Sequence, residues 1–188
     1  MIAALQDLLV LTEQDYDRLP DEGRWEVVDG RAILLPPNDF EHQHICDELL
    51  LAFRAGLKAL GYGCAVSATG VRIPLEPGAP GEVGSRIPDL SVARDKPRRY
   101  FTVGKPPELV IEVLATRRGN VERTEKLDDY ARAGIGEYWI VNPIDRVVEV
   151  YRLRDGDYVL EPGPQPILRP QAFPGLEIEL AEIWAVLD

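Results

Sequence analysis

One acidic residue, Glu112, lies within the otherwise apolar run LVIEVL at residues 109–114. Such a run is typical of a strand that is buried on both faces of a sheet. A buried carboxylate is costly unless it is paired with a cation, bonded to the backbone or bound to a metal. An arginine partner and a metal ion both satisfy this demand, so the chemistry of Glu112 depends on its neighbours.

Asp89 opens the preceding predicted strand, residues 88–93, and about 14 residues connect it to the strand of Glu112. A connection of that length permits antiparallel pairing, which brings the start of the first strand beside the end of the second. Asp89 and Glu112 would then be neighbours on one face, and their mutual repulsion would favour a bound cation. Oxygen ligands suit Mg²⁺ or Mn²⁺, with the carbonyl of Val113 as a further ligand. Taken alone, Asp89 is equally well explained as a strand-start residue that hydrogen-bonds a loop.

A third group, Lys126, lies on a helix predicted from about Val121 to Ala133. Arg123, Lys126 and Tyr130 are spaced i, i+3 and i+7 and therefore share one face of that helix. A lysine beside a metal-bound water can orient the water and balance charge on an attacked phosphate. Without the two carboxylates, Lys126 would be read as a solvated helix residue.

Several segments resemble, in order, the motifs of one nuclease family: WEVVDGRAILLPP, His42 at the head of a long helix, IPDLSV, PELVIEVLATRRG, EKLDDYARAGIGEYWIV and VVEVYRL. Together they cover about residues 20–155. The ordered set is similar to the Uma-type (DUF820-like) restriction endonuclease family of the PD-(D/E)XK nuclease superfamily. This resemblance implies a hydrolase that cuts DNA with Mg²⁺ or Mn²⁺, with Asp89 and Glu112 as metal ligands and Lys126 as the catalytic lysine.

The chain departs from the superfamily motif at the lysine, which usually stands two residues after the glutamate, where this chain has Leu114. The Uma-type pattern has its lysine on the following helix instead, four residues before a tyrosine, and Lys126 and Tyr130 match it. The family's serine three residues after the glutamate is replaced by Ala115. A supporting hydrogen bond is therefore expected to be missing, whereas the metal ligands are retained.

The same resemblance makes Glu26, His42 and Tyr130 candidate accessory residues. Glu26 could hold a second metal or a water, although a surface strand carboxylate is the simpler interpretation of its position. His42 could contact a phosphate or a water. Arg117 and Arg118 directly follow the strand of Glu112 and could clamp a phosphate, as could Arg123 on the next helix.

These residues are positioned by one α/β domain over residues 1–188, with a mixed sheet, flanking helices and an N-terminal β-hairpin, as in restriction-endonuclease-like folds. Asp29-Gly30 between two apolar runs predicts the hairpin. The remaining pattern predicts a loop at 76–87 and a proline-rich surface strap at 162–175. Strands are predicted at 24–28, 31–35, 63–68, 71–75, 88–93, 109–114, 137–142, 147–153 and 157–161, helices at 12–19, 39–60 and 121–133, and a strand with a short helix at 176–187.

Composition limits the kinds of partner and compartment that fit the chain. The net charge of −11 argues against nucleic-acid binding through the overall field, yet residues 51–100 carry 8 basic and 4 acidic groups. No apolar run is long enough to span a membrane, and the N-terminal segment lacks the basic start of a signal peptide. Cys46 and Cys64 form no CxxC pair, so we expect free thiols in the cytoplasm and no cysteine–histidine metal cluster.

The sequence therefore predicts a metal-dependent endonuclease acting on DNA. Two alternatives stay open: a catalytically inactive nucleic-acid-binding or regulatory module of the same fold, and a metal-dependent hydrolase of a small phosphoester. A homodimer would bring two active sites to the two strands of a duplex. Sequence specificity and the choice between DNA and RNA are not determined by these residues.

Overall fold

The structure is a computed structural model that describes residues 9–10, 12–82, 84–114 and 122–188. Its helices are α1 (Glu13–Tyr16), α2 (Phe40–Leu60), α3 (Glu122–Arg132) and α4 (Leu180–Trp184), with a 3-10 turn at Ala185–Leu187. Its strands are β1 (Arg24–Val28), β2 (Arg31–Leu35), β3 (Cys64–Ser67), β4 (Val71–Ile73), β5 (Gly84–Arg86), β6 (Leu90–Ala93), β7 (Leu109–Val113), β8 (Glu137–Asn142), β9 (Val147–Arg154), β10 (Asp157–Leu160), β11 (Ile167–Leu168) and β12 (Ile178–Glu179).

The central layer is a six-stranded mixed sheet in the order β10-β9-β8-β7-β6-β3. Strands β7 and β8 run parallel, and the other neighbouring pairs run antiparallel. A parallel pair needs a crossover connection, and α3 lies in the segment that joins β7 to β8. The mixed sheet and the antiparallel pairing of β6 with β7 agree with the prediction from the sequence.

A second sheet, in the order β2-β1-β5-β4, contains the N-terminal hairpin. Asp29 and Gly30 have φ angles of 48° and 71°, which is the left-handed backbone that a two-residue hairpin turn requires. The predicted hairpin strands are confirmed with the same bounds. The predicted loop at 76–87 is wrong in part, because β5 lies inside it and pairs with both β1 and β4. Its sequence, Gly-Ser-Arg, has no apolar alternation, and its partner β1 is distant in the chain.

The core forms on both faces of the mixed sheet because β7 alternates its side chains. On one face, α2 packs the apolar stripe Ile45, Leu49, Phe53 and Leu57 into the cluster that holds Leu109, Ile111 and Val113. On the other face, Val110 packs with Tyr130 of α3 and with residues of β8. Alternation therefore turns Glu112 toward α3, and all five residues of β7 are buried, as the apolar run predicts.

The proline-rich segment 162–175 was predicted as a surface strap, and this is wrong in part. Its short strand β11 pairs with β12, and Leu168 and Phe173 are buried in the same cluster as α2. Prolines hide this role in the sequence, because they interrupt the alternation by which a buried strand is recognised. In the described part of the chain, no helix combines the length and the apolar character needed to cross a bilayer.

Helix α2 has a defined start and end, and its start matters for the site. The side chain of Asp39 accepts a hydrogen bond from the backbone N–H of His42 at 2.9 Å, which caps the first turn. At the other end, Gly61 has a φ of 78° and terminates the helix in the left-handed conformation. The cap fixes the turn that carries His42.

Candidate active site at the end of strand β7

Asp89 and Glu112 lie side by side, as the predicted strand pairing requires. Leu90 of β6 is opposite Ile111 of β7, so Asp89, one residue before Leu90, lies beside Glu112. The backbone N–H of Val113 donates to Oδ2 of Asp89 at 2.9 Å, which ties Asp89 to the end of β7. Both acids are buried, with 9% and 8% exposure. The structure thus brings two carboxylates to one buried position.

Helix α2 contributes a histidine to Asp89. Nε2 of His42 lies 3.0 Å from Oδ2 of Asp89, and a guanidinium nitrogen of Arg24 lies 4.0 Å from Oδ1. Burial alone would raise the pKa of Asp89, but the hydrogen bond and charge of His42 and the Val113 amide lower it below its usual value. Burial alone would likewise lower the pKa of His42, and the contact with Asp89 raises it instead. Asp89 is therefore ionised at neutral pH.

Helix α3 contributes two groups to Glu112. Oε1 of Glu112 accepts hydrogen bonds from Nζ of Lys126 at 2.9 Å and from the hydroxyl of Tyr130 at 2.6 Å. Burial raises the pKa of Glu112 to about 7, although Lys126 opposes the shift, and the nearby charge of Asp89 adds to it. Burial alone would lower the pKa of Lys126, but Glu112 and Glu26 raise it. The lysine therefore stays charged while Glu112 titrates near neutrality.

Glu26 extends the site from the N-terminal sheet and is only 2% exposed, so its interpretation as a surface carboxylate is wrong. It accepts hydrogen bonds from Nη1 of Arg86 at 2.9 Å and from the N–H of Ile87 at 3.0 Å, and it lies 3.8 Å from Nζ of Lys126. Arg86 also donates to Asp129 of α3 at 2.6 Å. Arg86 thereby links the second sheet to α3 beside the site, a role that the missed strand β5 concealed in the sequence.

A cysteine missed by the sequence interpretation also reaches this group. Sγ of Cys46 lies 3.6 Å from Nδ1 of His42, the ring nitrogen that is not bonded to Asp89. One ligand atom from each of His42, Cys46 and Asp89 lies within 4.8 Å of the others. The expectation of no cysteine–histidine cluster is therefore wrong. The i, i+4 spacing of His42 and Cys46 on one helix was the available signal. Both cysteines are free thiols, as expected.

The remaining predicted residues are only partly described. Arg117 and Arg118 lie outside the described residues, and Arg123 is described in its backbone alone. Their roles as phosphate contacts stay predictions, as does the carbonyl of Val113 as a metal ligand. Tyr130, predicted as an accessory residue, lies in direct contact with Glu112.

The donor set fits a small hard cation. Asp89 uses Oδ2 and Glu112 uses Oε1 for the hydrogen bonds that the described residues make to them. The other oxygen of each carboxylate takes part in no described hydrogen bond. Carboxylate oxygens in small number, completed by water, are the ligands that Mg²⁺ and Mn²⁺ prefer. The residues of the site therefore satisfy the chemistry that a divalent ion requires.

The basic loop after β6 lies at the opposite end of that strand from Asp89. Arg94, Lys96 and Arg98 line a cavity of about 1200 Å³ there, together with residues of the loop before β7. Arg99 pairs with Asp17 of the turn after α1 at 3.1 Å. The loop is therefore separated from Asp89 by the length of β6.

Comparisons with known proteins identify the family and the fold of the chain. A family model named Uma2 and described as "Putative restriction endonuclease" matches residues 13–181. The crystal structure of a "putative nuclease belonging to DUF820" from Anabaena variabilis superposes with a TM-score of 0.73. The two chains are 19% identical, and the superposition covers 93% of this chain and 98% of the other. It confirms the restriction-endonuclease-like fold predicted from the sequence. No curated protein matches the chain.

Proposed function

The chain belongs to the Uma2 family of restriction-endonuclease-type proteins, and from this premise we propose that it is a metal-dependent endonuclease that hydrolyses phosphodiester bonds in DNA. The observation that carries the proposal is the pair of buried carboxylates, Asp89 and Glu112, with the ammonium group of Lys126 held 2.9 Å from Glu112. Two buried acids and one adjacent cation are the groups that phosphodiester hydrolysis needs.

The ion would be held by Asp89 and Glu112, through the oxygens left outside their hydrogen bonds. A bound Mg²⁺ or Mn²⁺ supplies a water of lowered pKa and neutralises charge on the phosphate. His42 orients Asp89 through its 3.0 Å contact, and Tyr130 orients Glu112. Lys126 keeps its proton because two acids face it, so it can donate hydrogen bonds to the attacking water or to a phosphate oxygen.

Glu26 acts through Lys126 in this proposal. Its carboxylate is fixed by Arg86 and lies 3.8 Å from the lysine, so it helps to keep the lysine charged and in place. The phosphates of the DNA would be contacted by Arg117, Arg118 and Arg123. A homodimer of this chain would present two such sites and cut both strands.

Cleavage of DNA by site variants tests the proposal. Mixed-sequence duplex DNA is incubated with the full chain and Mg²⁺ or Mn²⁺, and the wild type is compared with Asp89→Ala and Glu112→Ala. We expect each variant to lose at least about a hundredfold in rate, because each lacks a ligand for the ion. Calorimetric titration with Mn²⁺ should show a matching loss of metal binding.

Glu137→Gln is the matched control. Glu137 is another buried acid of the same sheet and is 2% exposed, but it lies at the start of β8. It accepts hydrogen bonds from the indole N–H of Trp139 and from the backbone N–H of Gln171. The control should keep cleavage and metal binding even if it lowers stability. Equal cleavage by the wild type and both site variants would remove these residues from the activity.

An inactive DNA-binding module is the second candidate, and one observation favours it. Lys126 and His42 already supply partners to Glu112 and Asp89, so the site is electrostatically satisfied by protein groups alone. Such a protein would bind duplex DNA with a steep dependence on salt, and it would leave the DNA uncut with every divalent ion tested.

A further inference from the structure

We propose that His42, Cys46 and Asp89 form a binding site for a borderline-soft transition-metal ion of the Zn²⁺ or Co²⁺ class. This site differs from the hard-cation pair in its donors, a nitrogen, a sulfur and an oxygen, and it shares only Asp89 with that pair. The thiol of Cys46 has no part in the proposed hydrolysis, and the site gives it a function.

The backbone already presents the three side chains together. His42 and Cys46 are one helical turn apart on α2, a spacing that places both on the same face. Asp89 reaches them from the start of β6, and Nε2 of His42 lies 3.0 Å from its Oδ2. All three are buried, with exposures of 4% for His42, 4% for Cys46 and 9% for Asp89. No large movement of the helix or the sheet is needed to assemble the group.

The distances require a small contraction. The three ligand atoms lie within 4.8 Å of one another. Around a tetrahedral zinc ion with bonds of about 2.0–2.3 Å, ligand atoms are about 3.3–3.8 Å apart. The widest pair must therefore close by about 1 Å, which rotations of the short Cys46 and Asp89 side chains can supply. A water molecule would complete the tetrahedron.

The donor set selects the class of ion. Thiolate and imidazole ligands favour Zn²⁺ and Co²⁺, whereas Mg²⁺ prefers oxygen ligands and binds sulfur poorly. On binding, Cys46 releases its thiol proton to solvent and the sulfur bonds to the metal. A site of this kind therefore binds Zn²⁺ in preference to Mg²⁺.

Sharing Asp89 has a consequence for activity, and this part rests on the proposed nuclease function. The ion bound by His42 and Cys46 draws the carboxylate of Asp89 toward α2, and so away from the hydrolytic ion, which needs the other oxygen of the same group. The two kinds of ion then exclude each other, so zinc inhibits the Mg²⁺-dependent reaction.

Cobalt binding tests the site without reference to cleavage. The full chain is titrated with Co²⁺ alone and its absorption spectrum recorded, because a thiolate ligand gives an intense sulfur-to-cobalt charge-transfer band. We expect the wild type to develop this band with one ion per chain, and excess Zn²⁺ to abolish it. A wild type that binds no Co²⁺, or binds it without the band, overturns the proposal.

The only two cysteines of the chain provide the variant and its matched control. Cys46→Ala should lose the band and bind Zn²⁺ at least about tenfold more weakly, whereas Cys64→Ser should keep both properties. Circular dichroism and thermal unfolding verify that Cys46→Ala is folded, and Cys46→Ser replaces it if it is not. A band that depends on Cys64, or that survives in the Cys46 variant, contradicts the assignment.

The cleavage assay then separates the two proposals. Zn²⁺ should inhibit Mg²⁺-dependent cleavage by the wild type, and Cys46→Ala should cleave DNA and resist that inhibition. A cobalt band without any cleavage supports the metal site and rejects the nuclease. Cleavage without a cobalt band supports the nuclease and rejects the metal site.

Discussion

At the scale of the residue, the surroundings of Glu112 both oppose and stabilise the charge of its carboxylate. Burial in β7 raises its pKa to about 7, while Lys126 and Tyr130 stabilise its charged form. A glutamate with an ordinary pKa would be ionised throughout the physiological range. Here the charged form, which a metal ion requires, is half populated near neutral pH.

We therefore expect the affinity for Mn²⁺ to depend on pH. Below about pH 7 the affinity should rise about tenfold per pH unit, because one proton must leave Glu112 for each ion bound, and above that pH it should level off. Calorimetric titration with Mn²⁺ between about pH 5.5 and 8.5 measures the profile. A flat profile over this range would show that Glu112 is not a ligand with a raised pKa.

Tyr130→Phe should move this profile to higher pH, because Glu112 loses a hydrogen bond that stabilises its charge. Tyr158→Phe is the control, since Tyr158 donates to the carbonyl of Ile135 and does not contact the carboxylates. If both variants shift the midpoint equally, the hydrogen bond to Glu112 is not the cause.

The candidate site could be predicted from the sequence only in part. Glu112 was recognisable because a charge in an apolar strand demands an explanation, and antiparallel pairing then located Asp89. Lys126 was identified by family resemblance. Arg86 and Cys46 were not identified, because both act through contacts across elements. Arg86 lies in a strand without an apolar pattern, and Cys46 meets Asp89 only after α2 has packed on the sheet.

At the scale of the element, the start of α2 controls His42. Asp39 caps the helix at the N–H of His42, and its charge contributes to the raised pKa of the imidazole. Asp39→Ala should therefore lower the free energy of unfolding by about 1 kcal/mol and also lower the pKa of His42. NMR titration is well suited to the measurement, because the chain has two histidines and His44 serves as the internal reference.

Thr12→Ala is the matched control for this cap. Thr12 caps the four-residue helix α1 through a reciprocal pair of hydrogen bonds with Asp15, and α1 is not part of the site. Removal of that cap should leave the pKa of His42 unchanged. A shift of His42 in both variants would point to a general loss of structure and not to the cap of α2.

Local signals explain which elements could be predicted. The hairpin strands and α2 were predicted within a residue because Asp29-Gly30, Asp39 and Gly61 mark their boundaries. Strand β5 lacked such signals, since it is short and polar, and one of its two partners, β1, is distant in sequence. The tail that contains β11 packs in the core through Leu168 and Phe173. The surrounding prolines interrupt the apolar pattern, so this packing could not be predicted.

At the scale of the whole molecule, the buried site makes stability depend on pH. The folded chain keeps a proton on Glu112 up to about pH 7, whereas a glutamate of ordinary pKa, 4.5, releases it earlier. Between these values the folded chain binds more protons than the unfolded chain, so the free energy of unfolding falls as pH rises. The raised pKa of His42 acts in the same direction above pH 6.5. The lowered pKa of Asp89 acts oppositely, below pH 3.8.

Urea unfolding in the presence of a chelator should therefore show stability falling by on the order of 1–3 kcal/mol between about pH 4.5 and 7.5. Glu112→Gln should flatten this dependence, because the amide does not titrate. Addition of Mn²⁺ should restore stability at the upper end of the range, since the ion binds the folded chain preferentially. An unchanged slope in Glu112→Gln would assign the pH dependence to other groups.

The parallel pair β7–β8 has a consequence for how this site could evolve. A chain that forms this pair must leave the sheet after Glu112 and return to it, and α3 forms part of that return. With this topology, a lysine beside Glu112 can come from either of two sequence positions: position 114, just after β7, or position 126, on α3. A lineage could pass from one position to the other through an ancestor with lysine at both. The lysine would then change its position in the sequence and keep its place in space beside the glutamate.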